Sequence, residues 1–131
     1  MSWTFVCELQ DIPVLGARRV QRAQGMDVAL FRNEAGDVFA LLDRCPHKGG
    51  PLSQGIVMEQ GVACPLHNWT IDLRTGQAAA PDEGFAPVFQ VQREGDAVLL
   101  NAHELATLAI DLQPPRAGPC TRARTIPIAV A

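Results

Sequence analysis

Two short stretches of this 131-residue chain hold side chains suited to a soft metal. "DRCPHKGGPLSQG" (43–55) carries Cys45 and His47 with one residue between them, and "ACPLHNW" (63–69) carries Cys64 and His67 with two between them. The pattern is C-x-H, sixteen intervening residues, then C-x-x-H. Each stretch offers one thiolate and one imidazole, and a proline follows each cysteine directly. Two cysteines and two histidines suit zinc or iron–sulfur. Structural zinc sites usually pair like with like, a Cys pair and then a His pair, whereas both pairs here are mixed. A [2Fe–2S] cluster with two cysteines on one iron and two histidines on the other has a use for mixed pairs, because two parallel loops then reach across both irons. Both chemistries stand at this point, and zinc would make the chain a non-redox interaction module.

The elements that must position these loops read as short strands. "WTFVC" (3–7), "ARRVQRA" (17–23), "DVALFRN" (27–33) and "DVFALLD" (37–43) are strand-like, the second polar enough to be an edge. "NEAG" between the third and fourth predicts a hairpin. "GIVM" (55–58) and "GVAC" (61–64) flank Glu59-Gln60 and predict another, which returns the second loop beside the first. "WTIDLRTGQ" (69–77) predicts a strand entering a turn at Thr75-Gly76. "PVFQVQR" (87–93) alternates at period two and meets "AVLL" (97–100) across "EGD". Asn101 followed by Glu104 resembles a capping pair and predicts one short helix. The expected fold is all-β, an antiparallel sandwich or barrel with two ligand loops, a short C-terminal helix and an irregular tail. The expected division is a domain at 1–105 and a tail at 106–131, the latter rich in proline with Arg116, Arg122 and Arg124.

Composition narrows the function. At 47% apolar residues the chain has enough for one packed core. A net charge of −3 argues against nucleic acid as a partner. No run of about 18 apolar residues predicts a membrane span. The N-terminal "MSWTFVCELQDIP" lacks a basic n-region, so no secretory signal is expected and the thiols are expected to be reduced in the cytoplasm.

"CPHKGGPLSQG" and "CPLHNWTIDLRTGQ" resemble the paired loops of Rieske-type [2Fe–2S] proteins, over roughly residues 3–101. The resemblance implies that Cys45 and Cys64 hold the inner iron and His47 and His67 the outer one. Gly49, Gly50 and Pro51 would let the backbone wrap the cluster. Gly50 and Leu66 stand where respiratory members carry an extra disulfide, so that bridge is excluded. Trp69 and Ile71 stand where those members place a serine and a tyrosine that donate to the cluster, and the chain has no tyrosine. Fewer hydrogen bonds to sulfur imply a potential near the low end of the Rieske range, about −150 mV.

Within that family the chain is most similar to the small subunit of NAD(P)H-dependent assimilatory nitrite reductase. "CPHKGGPLSQGIV", "CPLHNWTIDLRTGQ" and "PDEG" (81–84) carry this likeness. It implies a large partner subunit with flavin, sirohaem and an iron–sulfur cluster that reduces nitrite to ammonia. The alternative is a free-standing Rieske ferredoxin serving an aromatic-ring dioxygenase or similar oxygenase. On either reading the chain has no active site of its own, for no nucleophile with a base, phosphate loop or nicotinamide motif is present.

The remaining reactive residues read more plainly. His103 is expected on the exposed face of the helix and Cys7 as a buried apolar residue of the first strand. Trp69 is expected to pack behind the second loop. Lys48 beside His47, and Asp82 and Glu83 in a loop over the cluster, read as solvated charges. Cys120 reads as a free thiol in the tail.

Overall fold

The computed structural model describes residues 2–46, 50–65, 69–79 and 84–110. Lys48, Asp82, Glu83, Cys120 and the arginines of the tail lie outside them. The described residues form ten strands in three antiparallel sheets, and one short helix. The central sheet runs β2 (Gly16–Val20), β3 (Val28–Arg32), β4 (Val38–Leu42), β8 (Val88–Phe89). One flanking sheet runs β1 (Trp3–Glu8), β10 (Ala97–Asn101), β9 (Val91–Glu94), and the other β5 (Ile56–Val57), β6 (Gly61–Ala63), β7 (Thr70–Asp72). The expected all-β fold with a short C-terminal helix is the observed one.

The central sheet is buried on both faces. Val28, Leu30, Ala40 and Leu42 face one core with Cys7, Ile12, Phe89, Val98 and Leu100. Ala29, Phe31 and Leu41 face the other with Leu52, Val57, Val62, Ile71 and Leu73. This explains why "DVALFRN" is a continuous apolar run, since a strand covered on both sides has no wet face to alternate toward. Each large side chain taken fully from water contributes about 1.5–3 kcal/mol. The second core therefore holds the β5–β7 sheet against the central sheet, and the first holds the β1–β10–β9 sheet against its other face.

The predicted hairpins form where turn residues punctuate the chain. At "NEAG" the Asn33 side chain accepts from the Asp37 N–H at 2.8 Å, and its amide donates to the Glu59 carbonyl at 3.1 Å. One buried asparagine thus ties the β3–β4 turn to the β5–β6 turn. β2 is an edge strand, as its polar sequence requires. "PVFQVQR" departs from expectation, for it is two strands. Val88 and Phe89 pair with β4, whereas Val91 to Arg93 pair with β10 in the other sheet. The chain changes sheet at Gln90, whose N–H donates to the Glu104 carboxylate at 2.7 Å. Alternation fixes a strand's two faces but not its partner, so the break leaves no mark in the pattern.

The helix α1 (Ala102–Thr107) starts at Asn101, whose side chain accepts from the Glu104 N–H at 3.1 Å. Its far end is held by Arg22, which donates to the carbonyls of Leu108 at 2.6 Å and of Leu105 and Ala109 at 3.3 Å. Among the described residues no helix is long and apolar enough to cross a membrane.

Candidate metal centre

β4 delivers the chain to the first loop. Asp43 N–H donates to the Asp27 carbonyl at 3.0 Å, and Arg44 N–H to Leu42 at 2.7 Å. Cys45 N–H then donates across the loop to the Gly50 carbonyl at 2.8 Å. The chain leaves through Pro51 into a 3-10 turn, Leu52–Gln54, anchored by the fully buried Leu52. The β5–β6 hairpin delivers the chain to the second loop, where Cys64 N–H donates to the Trp69 carbonyl at 2.7 Å. The two loops are closed alike, each by its cysteine's own N–H reaching the carbonyl five residues on (45 to 50, 64 to 69).

Cys45 and Cys64 are both 0% exposed and belong to one core cluster with Phe31, Leu52, Val62 and Ile71. Neither is in a disulfide. His47 and His67, the predicted ligands of the outer iron, lie outside the described residues, as do Gly49 and Leu66. Trp69 packs against the cluster that contains both cysteines, as expected. Cys7 is buried in the other core, also as expected.

The half of the centre that is described fits an iron–sulfur site. The two thiols sit in a single apolar cluster, at the bases of two matched loops, and unbridged. Soft thiolate ligands screened from water suit the inner iron of a [2Fe–2S] cluster.

A third segment completes the surroundings, next to the loop that the sequence placed over the cluster at Asp82 and Glu83, which themselves lie outside the described residues. Gly84 has φ +124°, and a Cβ there would come within 3.1 Å of Pro46 Cβ. The chain beyond residue 83 therefore returns against the first loop. Phe85 follows at 64% exposure and pairs with Gln77. The turn that leads there is set by Asp72, whose carboxylate accepts from the N–H groups of Arg74 at 2.7 Å and Thr75 at 3.0 Å. Gly76 ends that turn with φ +76°, where a Cβ would also collide with the Ala86 carbonyl. Its only mark in the sequence is the Thr-Gly pair.

Residues 2–101 match the Rieske [2Fe–2S] domain. The chain belongs to the Rieske family. Its cofactor is accordingly a Rieske-type [2Fe–2S] cluster, and its role is electron transfer.

Relatives of this Rieske protein include dioxygenase ferredoxin subunits and nitrite reductase small subunits. It is 42% identical over 79 residues to the ferredoxin subunit of a 3-phenylpropionate/cinnamic acid dioxygenase from Photorhabdus laumondii, covering 60% of this chain and 72% of that one. The counterpart from Escherichia coli K12 is 30% identical over 106 residues, 79% of this chain and 97% of that one. Among solved structures, the complex of oxygenase and ferredoxin in carbazole 1,9a-dioxygenase matches with a TM-score of 0.67 at 27% identity, over 75% of this chain and 91% of that one. A crystal structure provisionally assigned as an NADPH nitrite reductase small subunit matches with a TM-score of 0.68, also at 27% identity, over 78% of this chain and 100% of that one. The chain also aligns with part of two longer oxygenases, of which it spans only 16% and 17%. Rieske proteins partner with oxidoreductase or oxygenase subunits.

Proposed function

We propose that the chain is the Rieske small subunit of an NAD(P)H-dependent nitrite reductase, with its cluster held by Cys45, His47, Cys64 and His67. The observation that carries the ligand set is the pair of buried, unbridged cysteines at the bases of two equally closed loops in one core cluster. When bound, the cluster supplies a one-electron carrier. Cys45 and Cys64 keep their end of it dry, and the two Cys N–H bonds fix where each thiol leaves the backbone. His47 and His67 hold the outer iron on this reading. The Rieske unit covers 1–105 on this reading, with the end of α1 and Leu108 and Ala109 still packed against its core, and the rest of the tail is an appendage to it.

The nitrite reductase assignment is supported by "CPLHNWTIDLRTGQ" and "PDEG" and by the likeness to a structure assigned to that subunit over that chain's full length. Its partner on this reading is the large flavin and sirohaem subunit, which reduces nitrite to ammonia in the cytoplasm. A second reading, a ferredoxin for a ring dioxygenase, is favoured by the relatives at 42% and 30% identity, both ferredoxin subunits of such enzymes.

The first experiment is electron paramagnetic resonance of the dithionite-reduced protein, with iron and zinc counted on the same sample. A rhombic signal averaging about g = 1.9 with two irons per chain supports the ligand set. No signal with one zinc per chain sinks it. The second is stopped-flow reoxidation of the reduced protein by a purified nitrite reductase large subunit and, separately, by a terminal ring dioxygenase. Fast oxidation and co-elution with the former only support the first reading. The opposite result selects the ferredoxin.

A further inference from the structure

We propose that Asp43 is the positioning residue of the first ligand loop, and that its contact with Ser53 sets both the hold on the cluster and the cluster's potential. This rests on the ligand reading above. Among the described residues the buried polar side chains are those of Asn33, Asp43 and Asn101, so Asp43 is the one buried carboxylate, at 5% exposure. A buried carboxylate is costly unless hydrogen-bonded. Both of its oxygens are used by one residue. Ser53 N–H donates to Oδ1 and the Ser53 hydroxyl to Oδ2, each at 2.7 Å. Arg19 Nε stands 4.0 Å from Oδ2, but its side chain is 55% exposed and contributes little.

The position of this contact is what gives it a role. Asp43 precedes Cys45 by two residues, and Ser53 lies in the 3-10 turn by which the loop returns to the core. The loop therefore has two rungs, the inner one the backbone bond from Cys45 to Gly50 and the outer one the Asp43–Ser53 pair. The outer rung is charge-assisted and bidentate, hence the stronger of the two. A loop carrying a thiolate and an imidazole for two different irons must keep their separation fixed. The outer rung does this from outside the ligand sphere. Its negative charge also opposes electron uptake by the neighbouring centre, as any fixed anion does.

Shape and charge are separable, because an amide keeps the shape. In Asp43→Asn the side-chain oxygen still accepts from the Ser53 N–H, and the amide nitrogen donates to the Ser53 oxygen. In Asp43→Ala both Ser53 donors lose their partner. The test compares wild type, Asp43→Ala, Asp43→Asn and Ser53→Ala as isolated holoproteins, by iron release to excess chelator, resonance g-values and midpoint potential. Leaving a buried group unsatisfied should speed iron release about tenfold or more in Asp43→Ala, with shifted g-values. Asp43→Asn should release iron at close to the wild-type rate with unchanged g-values but a higher potential. Ser53→Ala should fall between. Wild-type rates, g-values and potential throughout would overturn the proposal. If Asp43→Ala does not fold, an unmoved potential in Asp43→Asn with an unmoved rate in Ser53→Ala overturns it equally. A wild-type sample without the rhombic signal would instead bring down the ligand reading, and this proposal with it.

Discussion

The guanidinium of Arg22 lies over the ring of Phe89, with its carbon 5.2 Å from the ring centroid. Phe89 is a core residue of β8, and the same guanidinium donates to the carbonyls of Met26, Leu105, Leu108 and Ala109. One side chain thereby fastens the six-residue helix α1, too short to be stable alone, to the central sheet. Burial lowers its pKa and Asp27 opposes this, but an arginine remains a cation at neutral pH.

Arg22→Lys keeps the charge and loses the planar fork. It should destabilise the protein by about 1–2 kcal/mol, seen as a fall of several degrees in Tm by circular dichroism. An unchanged Tm would show that the helix is held by its apolar contacts alone.

Cys45 and Cys64 share one buried cluster, and on the proposed ligand set they share one iron. Cys45→Ser and Cys64→Ser should each abolish visible absorbance and leave no more than a trace of iron per chain by elemental analysis. Cys7→Ser, in the opposite core, should retain full iron. A Cys45→Ser protein with two irons per chain would remove Cys45 from the ligand set.

Ile71 is fully buried and Trp69 packs on the same cluster, and neither has a hydroxyl to donate. A midpoint potential of about −150 mV is therefore expected in a redox titration monitored in the visible. A value well above zero would mean that other donors, backbone N–H groups foremost, serve the sulfurs.

The Cys7 thiol is 3% exposed. Burial pushes its pKa up, Arg18 pulls it down, and Asp11 and Glu8 push it further up. Above the unfolded thiol's pKa, about 8.5, the unfolded chain binds fewer protons than the native one. The contribution is thus complete below that pH and is lost as pH rises through the folded value. Urea unfolding at neutral and alkaline pH should show a steeper alkaline loss for wild type than for Cys7→Ala. Parallel losses would show that Cys7 does not titrate in this range.

Much of this was legible in the residues themselves. Asn33 and Gly36, Glu59 and Gln60, and Gly95 mark real hairpin turns, because turn geometry depends on the few residues that make it. Asn101 announced its helix for the same reason. The C-x-H and C-x-x-H spacings are the source of the mixed ligand set proposed above, since ligand chemistry belongs to side-chain type. Gln90 shows the opposite case. Its strand pattern runs on unbroken, yet the chain changes sheets there, because the partner lies in β4 on one side and β10 on the other.

By itself, then, the sequence determined the all-β class, the turns, the two cysteine-bearing loops and the family to which they belong. These are short-range properties, written in neighbouring residues. Only the tertiary structure decided that the central sheet is buried on both faces, that Arg22 closes the helix on Phe89, that Gly84 returns against Pro46 and that Asp43 grips Ser53. Each of these depends on groups brought together by packing two separate cores, and no local periodicity records which distant residue will fill a given place.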